Sequence, residues 1–175
     1  MKFSPFSKNL IAVLFLLIVS QSLNAQKQKK YVLDWLSQHE VVEEFGKISD
    51  EIWSFAELGL QEFKSSALLI NTLEKEGFKV EKGLAGMPTC FVATYGSGKP
   101  VIGILAEYDA LPMISQNPRT TTKQPLVEGA PGHGCGHNLM GTAASAAAIA
   151  AKKAMEKYDI KGTIKVFGSP AEEML

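Results

Sequence analysis

The heptapeptide Gly132-His133-Gly134-Cys135-Gly136-His137-Asn138 constrains this chain more than any other stretch. Two imidazoles and a thiol stand at alternate positions with only glycine between them. In an extended backbone, side chains two residues apart project to one face. His133, Cys135 and His137 can then converge on one point. The glycines let the backbone turn tightly and let a ligand come close. Further on, an apolar run gives way to Ala171-Glu172-Glu173-Met174-Leu175, a pair of adjacent carboxylates. Thiolate, imidazole and carboxylate are the ligand set of zinc, and a thiolate disfavours hard ions such as magnesium or calcium. The pattern predicts a metal site on which the two stretches converge.

What lies between them decides whether they can meet. Val101 to Leu105 is a continuous apolar run, the pattern of a strand buried on both faces. It ends in Ala106-Glu107-Tyr108-Asp109-Ala110-Leu111-Pro112, and open α/β sheets place ligands at the carboxyl ends of strands. Asp109 is therefore a functional candidate, while Glu107 reads equally well as a site residue or an ordinary loop acid. Met113 to Glu128 is polar, rich in threonine and proline and without period, which predicts an irregular loop. Asn138 is placed to cap a helix running to about Lys157. The alanine-rich first half of that helix, Thr142 to Ala151, can pack closely on a sheet, and Lys152, Lys153 and Lys157 suit its negative end. Thr163 to Phe167 is again a buried-strand pattern. Strand, crossover helix and strand make a βαβ unit with parallel neighbours. That unit delivers Asp109 and the Glu172-Glu173 pair to one edge. Consecutive carboxylates at a strand end point opposite ways, so one can bind metal while the other serves as general base. His133 taken alone reads as a hydrogen-bonded loop histidine, and His39 as a surface residue.

Upstream, Val41, Phe45, Ile48, Ile52 and Phe55 recur at spacings of 4, 3, 4 and 3, which is one helical face broken off near Gly59. A second helix is predicted from about Glu62 to Glu76, with Gly77 as its stop. Strands are predicted at Phe78 to Lys82 and at Thr89 to Tyr95, the latter holding Cys90 as a core residue. Gly96-Ser97-Gly98-Lys99-Pro100 has Ala93 and Pro100 where a phosphate-binding loop needs glycine and Ser or Thr, so it reads as a hairpin turn. At the N-terminus Lys2 and Lys8 precede an apolar run from Leu10 to Val19, and Ala25 follows as a cleavage point. Residues 1–25 are read as a signal peptide of an exported, periplasmic or extracellular protein, with an uncleaved membrane anchor as the alternative. Their removal takes Lys2, Lys8 and no acid, shifting the net charge from zero to −2. Nothing in that balance suggests a nucleic-acid or anionic-membrane surface. Two cysteines do not make a disulfide scaffold, and a Cys90–Cys135 bridge would consume the central thiol. The 175 residues suffice for one domain with a sizeable core.

GHGCGHN, with AEYDALP before it and GSPAEE after it, resembles the M20 family of metal-dependent peptidases and amidohydrolases. The cysteine is similar to the branch containing hippurate hydrolase, and Asn138-Leu139-Met140 favours its aminobenzoyl-glutamate-like subgroup. The likeness runs from about Trp35 to Glu173. It implies an α/β catalytic domain, a mixed sheet flanked by helices, of which residues 26–175 form the N-terminal portion. The remaining ligands and a smaller dimerising domain would lie beyond the glutamate pair. By resemblance Cys135, His137 and Glu173 bind the metal, Glu172 is the general base and Asp109 orients the site, while His133 has no ligand role. Two divalent ions are implied, zinc by the thiol, with manganese as the alternative. The implied substrate is a small amide such as an N-acyl or N-aroyl amino acid, and the implied assembly is a homodimer or a pairing with a related subunit. For this length of chain alone, little or no turnover is expected, and a non-catalytic fragment keeping part of the metal site is the competing reading.

Overall fold

The computed structural model describes residues 24–174. The expected leader falls outside that range except for residues 24 and 25, which lie in helix α1, described over residues 24–36. No helix among the described residues is long and apolar enough to cross a membrane. Helix α2 (His39–Phe55) follows the predicted spacing: Val41, Ile48 and Ile52 are buried, and the half-buried Phe45 meets Trp35 edge-on. It ends where Ala56 turns left-handed at φ 44°. Helix α3 (Phe63–Lys75) buries Leu69, Ile70 and Leu73, and Gly77, at φ 85°, follows its end.

Four strands follow: β1 (Lys79–Lys82), β2 (Phe91–Ser97), β3 (Val101–Glu107) and β4 (Gly162–Ser169), in the spatial order β1-β2-β4-β3. β3 and β4 are parallel, with Glu107 beside Ser169, and helix α4 (His137–Tyr158) makes the crossover between them. The predicted βαβ unit is present. Helices cover the face carrying Phe91, Ala93, Ala106, Ile164 and Val166, which with Ile52, Leu73 and Ile149 form the core. The fold is a mixed sheet with helices packed on it.

Three expectations change. Gly96 to Pro100 does not close a hairpin, because β4 inserts between β2 and β3, pairing antiparallel with one and parallel with the other. Local turn chemistry does not reveal that insertion, which comes from a strand some sixty residues downstream. β3 is not buried on both faces: Val101, Ile102 and Leu105 are each more than half exposed. It is the edge of the four strands, and no described helix covers the face of Val101 and Leu105. Thr89 and Cys90 precede β2 rather than lying in it. Thr89 is buried, whereas Cys90 is half-buried, and burial raises its thiol pKa.

The alanine-rich half of α4 lies close on the sheet, with Ala144, Ala146, Ala148 and Ala150 buried. The closest approach is at Gly141, where a Cβ would stand 2.6 Å from the carbonyl oxygen of Glu107. Glycine is required there for contact with backbone, which cannot swing aside. Gly141→Ala is expected to cost about 1–3 kcal/mol by overpacking, measured as a lowered midpoint in urea. A midpoint equal to the parent's would mean that α4 is not held against β3.

Candidate metal centre

The site is built where β3 ends. Tyr108 turns into the core, fully buried and stacked on Phe91, and its hydroxyl donates to the Thr89 carbonyl at 2.7 Å. Burial pushes the phenol pKa far upward, so it stays a neutral donor. The chain beyond β3 stays extended through a bridge pairing Ala110 with Leu58 and a hydrogen bond from Ala110 N to the Glu57 carbonyl. In such a chain the neighbours Glu107 and Asp109 face opposite to Tyr108. Both are buried.

Asp109 does two things. Oδ1 lies 2.9 Å from Nδ1 of His137, and Oδ2 accepts the backbone N–H of Glu173 at 2.9 Å. A carboxylate on Nδ1 fixes the proton there and leaves the Nε2 lone pair free for a metal. Around Nε2 stand Glu107 Oε2 at 3.4 Å and oxygens of Glu172 and Glu173 at 3.7 Å each. These separations exceed a normal hydrogen bond. The imidazole is almost wholly buried, so three carboxylates surround a nitrogen that does not satisfy them.

His137 is the first residue of α4, and the helix is capped by Gly136 at φ 90°, not by Asn138. Asn138 is spent elsewhere: buried, it donates from Nδ2 to Ser49 Oγ at 3.0 Å and ties α4 to α2. The left-handed turn at Gly136 separates the exposed Cys135 from the buried His137. Both cysteines are free. Of the three alternating side chains, two reach the cluster. Gly132 is locked to Leu111 by a pair of backbone hydrogen bonds, and the His133 ring lies 3.1 Å, through Nε2, from the Ile52 carbonyl. Burial lowers the pKa of His133, and its Nδ1 has no hydrogen-bond partner among the described residues.

Glu172 and Glu173 are not at an extended strand end but in a single 3₁₀ turn, Glu172–Met174. The opposition expected from strand alternation is replaced by a difference in depth, since the side chain of Glu172 is 43% exposed and that of Glu173 only 15%. Two sets of donor atoms result, each within 4.8 Å of one another: Cys135, His137 and Glu173, and Glu107, His137 and Glu172. Glu107, balanced by sequence, thus joins the cluster. Strand alternation beside Asp109 was the one signal for it.

These groups fit a thiophilic divalent ion. Oε1 of Glu173 is buried without a hydrogen-bond partner among the described residues. The Glu173 carboxylate beside the thiol, and the charges of Glu172 and Glu107, raise the thiol pKa of Cys135. A cation among them would relieve that crowding, because a buried charge without a partner is costly.

A mixed sheet whose two parallel strands deliver carboxylates to the thiol and imidazole at the start of α4 defines an α/β protein with a candidate metal centre. The chain belongs to peptidase family M20/M25/M40, whose sequence profile matches residues 103–175. It is 47% identical over 126 residues to one of the subunits of the p-aminobenzoyl-glutamate hydrolase of Escherichia coli K12, covering 72% of this chain and 26% of that protein. It is 31% identical over 147 residues to the Xaa-Arg dipeptidase of Mus musculus, covering 77% of this chain and 30% of that one. In fold it is similar to a dinuclear metal-binding M20 peptidase of Bacillus subtilis, with a TM-score of 0.62 and 24% identity, over 75% of this chain and 36% of that one. An aminobenzoyl-glutamate utilization protein of Klebsiella pneumoniae aligns over 84% of this chain and 40% of its own, with a TM-score of 0.52 and 16% identity. The chain thus spans about a quarter to a third of the curated relatives.

Proposed function

We propose that this chain carries part of the catalytic centre of an exported amidohydrolase that cleaves the amide bond of an N-acyl or N-aroyl amino acid of the p-aminobenzoyl-glutamate kind. The convergence of Cys135, His137 and Glu173 in front of Asp109 carries the reading, and the 47% identity supports the substrate class. Cys135, His137 and Glu173 would hold one ion, and Glu107, beside the same ring, would be a donor toward a second. Zinc suits the thiol, with manganese as the alternative. When bound, a divalent ion acidifies water and polarises a carbonyl. Asp109 keeps the proton on Nδ1 and fixes the ring. Glu172, the more exposed of the pair, takes the proton of the attacking water and returns it to the departing nitrogen. Residues 1–25 serve as the export signal in this reading. A second copy or a related subunit is the assembly partner.

A second reading, a non-catalytic piece that retains only part of the metal site, draws on the share of the relatives that the chain spans. The two part on one assay. The polypeptide translated from the reading frame holding residues 1–175 is incubated with p-aminobenzoyl-glutamate before and after chelation. Release of glutamate that stops on chelation and returns with zinc is expected. Hydrolysis untouched by chelation sinks the metallohydrolase reading, and no hydrolysis at any metal load favours the second.

A further inference from the structure

Glu62 stands immediately before α3, at a position where an acid ordinarily does no more than complement a helix dipole. Here it is completely buried. Oε2 accepts the Thr89 hydroxyl at 2.8 Å, and Oε1 accepts the backbone N–H of Ala171 at 2.8 Å, across 109 residues of sequence. A buried carboxylate keeps its place only when its oxygens are satisfied in this way. Ala171 has φ 61°, a left-handed conformation that a residue with a Cβ rarely adopts without something to hold it. Two residues further on, the N–H of Glu173 goes to Asp109 Oδ2. Glu172 therefore sits between two backbone amides, each fastened to a buried carboxylate. Room for this turn is left by Gly59, where a Cβ would stand 2.6 Å from Met174 Sδ and 3.0 Å from Ala171 Cα.

We infer that Glu62 is a positioning residue that, as one half of a two-carboxylate clamp with Asp109, holds the Ala171–Glu173 turn so that both acidic side chains face His137. Thr89 fixes the other oxygen of Glu62, and Tyr108, through the Thr89 carbonyl, links that anchor to the strand end carrying Glu107 and Asp109. The turn is therefore registered against β3 from both sides. The consequence for metal rests on the proposed function; the clamp itself does not.

The variants are Glu62→Gln, whose amide can accept from Ala171 while donating to the Thr89 oxygen, and Glu62→Met, similar in volume but unable to accept. Amide hydrogen exchange at Ala171 is read residue by residue, with Val166 in the core as internal reference. In Glu62→Met, exchange at Ala171 is expected to quicken at least about tenfold while Val166 keeps the parental rate, as local opening without global unfolding requires. Glu62→Gln is expected to restore protection. Zinc affinity, measured by chelator competition, is expected to fall by about 10–100-fold in Glu62→Met and to recover in Glu62→Gln. Should Glu62→Met not fold, Thr89→Val, which frees one oxygen of Glu62, is expected to quicken Ala171 exchange several-fold. Parental exchange at Ala171 in Glu62→Met, or in Thr89→Val where that variant stands in, overturns the clamp, and so does a Glu62→Gln as unprotected as Glu62→Met. Since exchange is read without metal, a parent chain that binds no zinc overturns the metal reading and still leaves the clamp decided.

Discussion

His137→Asn is expected to cost more divalent-ion affinity than Cys135→Ser. The difference follows from one nitrogen on which both donor sets depend, since the single Nε2 lone pair binds one ion in either set. Both donor sets contain His137, and in each the atom facing the carboxylates is Nε2. Asparagine reproduces the Nδ1 edge of the ring, so its amide can still donate to Asp109, but it ends before Nε2. The fold should therefore survive and the ligand be lost. Serine at 135 removes a thiolate from an exposed position and leaves His137 and Glu173 of the same donor set in place. Losing a ligand should exceed the 10–100-fold that losing an outer partner costs, so more than about 100-fold, or ~3 kcal/mol, is expected for His137→Asn. Asp109→Asn should fall in the outer-partner range. Both oxygens of Asp109 accept, one from His137 and one from Glu173 N–H. An amide can satisfy only one and must set a donor against the other. Titration with zinc, read as equivalents bound and affinity, separates the three variants. Parental zinc affinity on His137→Asn would remove Nε2 as a ligand.

The heptapeptide and the βαβ unit were legible because each rests on local chemistry. The thiol and imidazole one glycine apart name their ligand class outright, and the apolar runs around the alanine-rich helix force parallel strands with their acids at one edge. What was not legible depends on partners distant in sequence. β4 inserts between β2 and β3, which no turn residue between Gly96 and Pro100 reports. His133 fits the alternation of the motif but is claimed by the Ile52 carbonyl, 81 residues away. Asn138 has the chemistry of a helix cap and is instead used by Ser49 on another helix. Glu62 gives no local signal, since its partners Thr89 and Ala171 meet it only in the folded chain. The adjacent glutamates were assigned to a strand end, and the left-handed Ala171 turns them into a 3₁₀ turn. The chemistry survives that change because both side chains still reach the His137 ring.

Glu172→Gln is expected to reduce amide hydrolysis by about 10²–10⁴-fold, equivalent to ~3–5 kcal/mol of barrier, with metal content unchanged. The reason lies in the difference between the neighbours. Glu173 is held by its backbone N–H on Asp109, its side chain is mostly buried, and its Oε1 faces the cluster without a hydrogen-bond partner among the described residues. That is the setting of a ligand. Glu172 lies in the same turn at the same 3.7 Å from Nε2, yet almost half its side chain is open to solvent. A proton shuttle needs that access, because it must meet water on one side and a leaving nitrogen on the other. Glutamine keeps the shape and loses the basicity, so chemistry fails while the architecture stands. Glu173→Gln should do the reverse, lowering zinc affinity first and turnover as a result. Kinetics at saturating zinc distinguish them: added metal is expected to rescue Glu173→Gln in part and Glu172→Gln not at all. A Glu172→Gln that loses one equivalent of metal and is restored by excess zinc would make Glu172 a ligand of the second ion, alongside Glu107, and the base would have to be sought elsewhere.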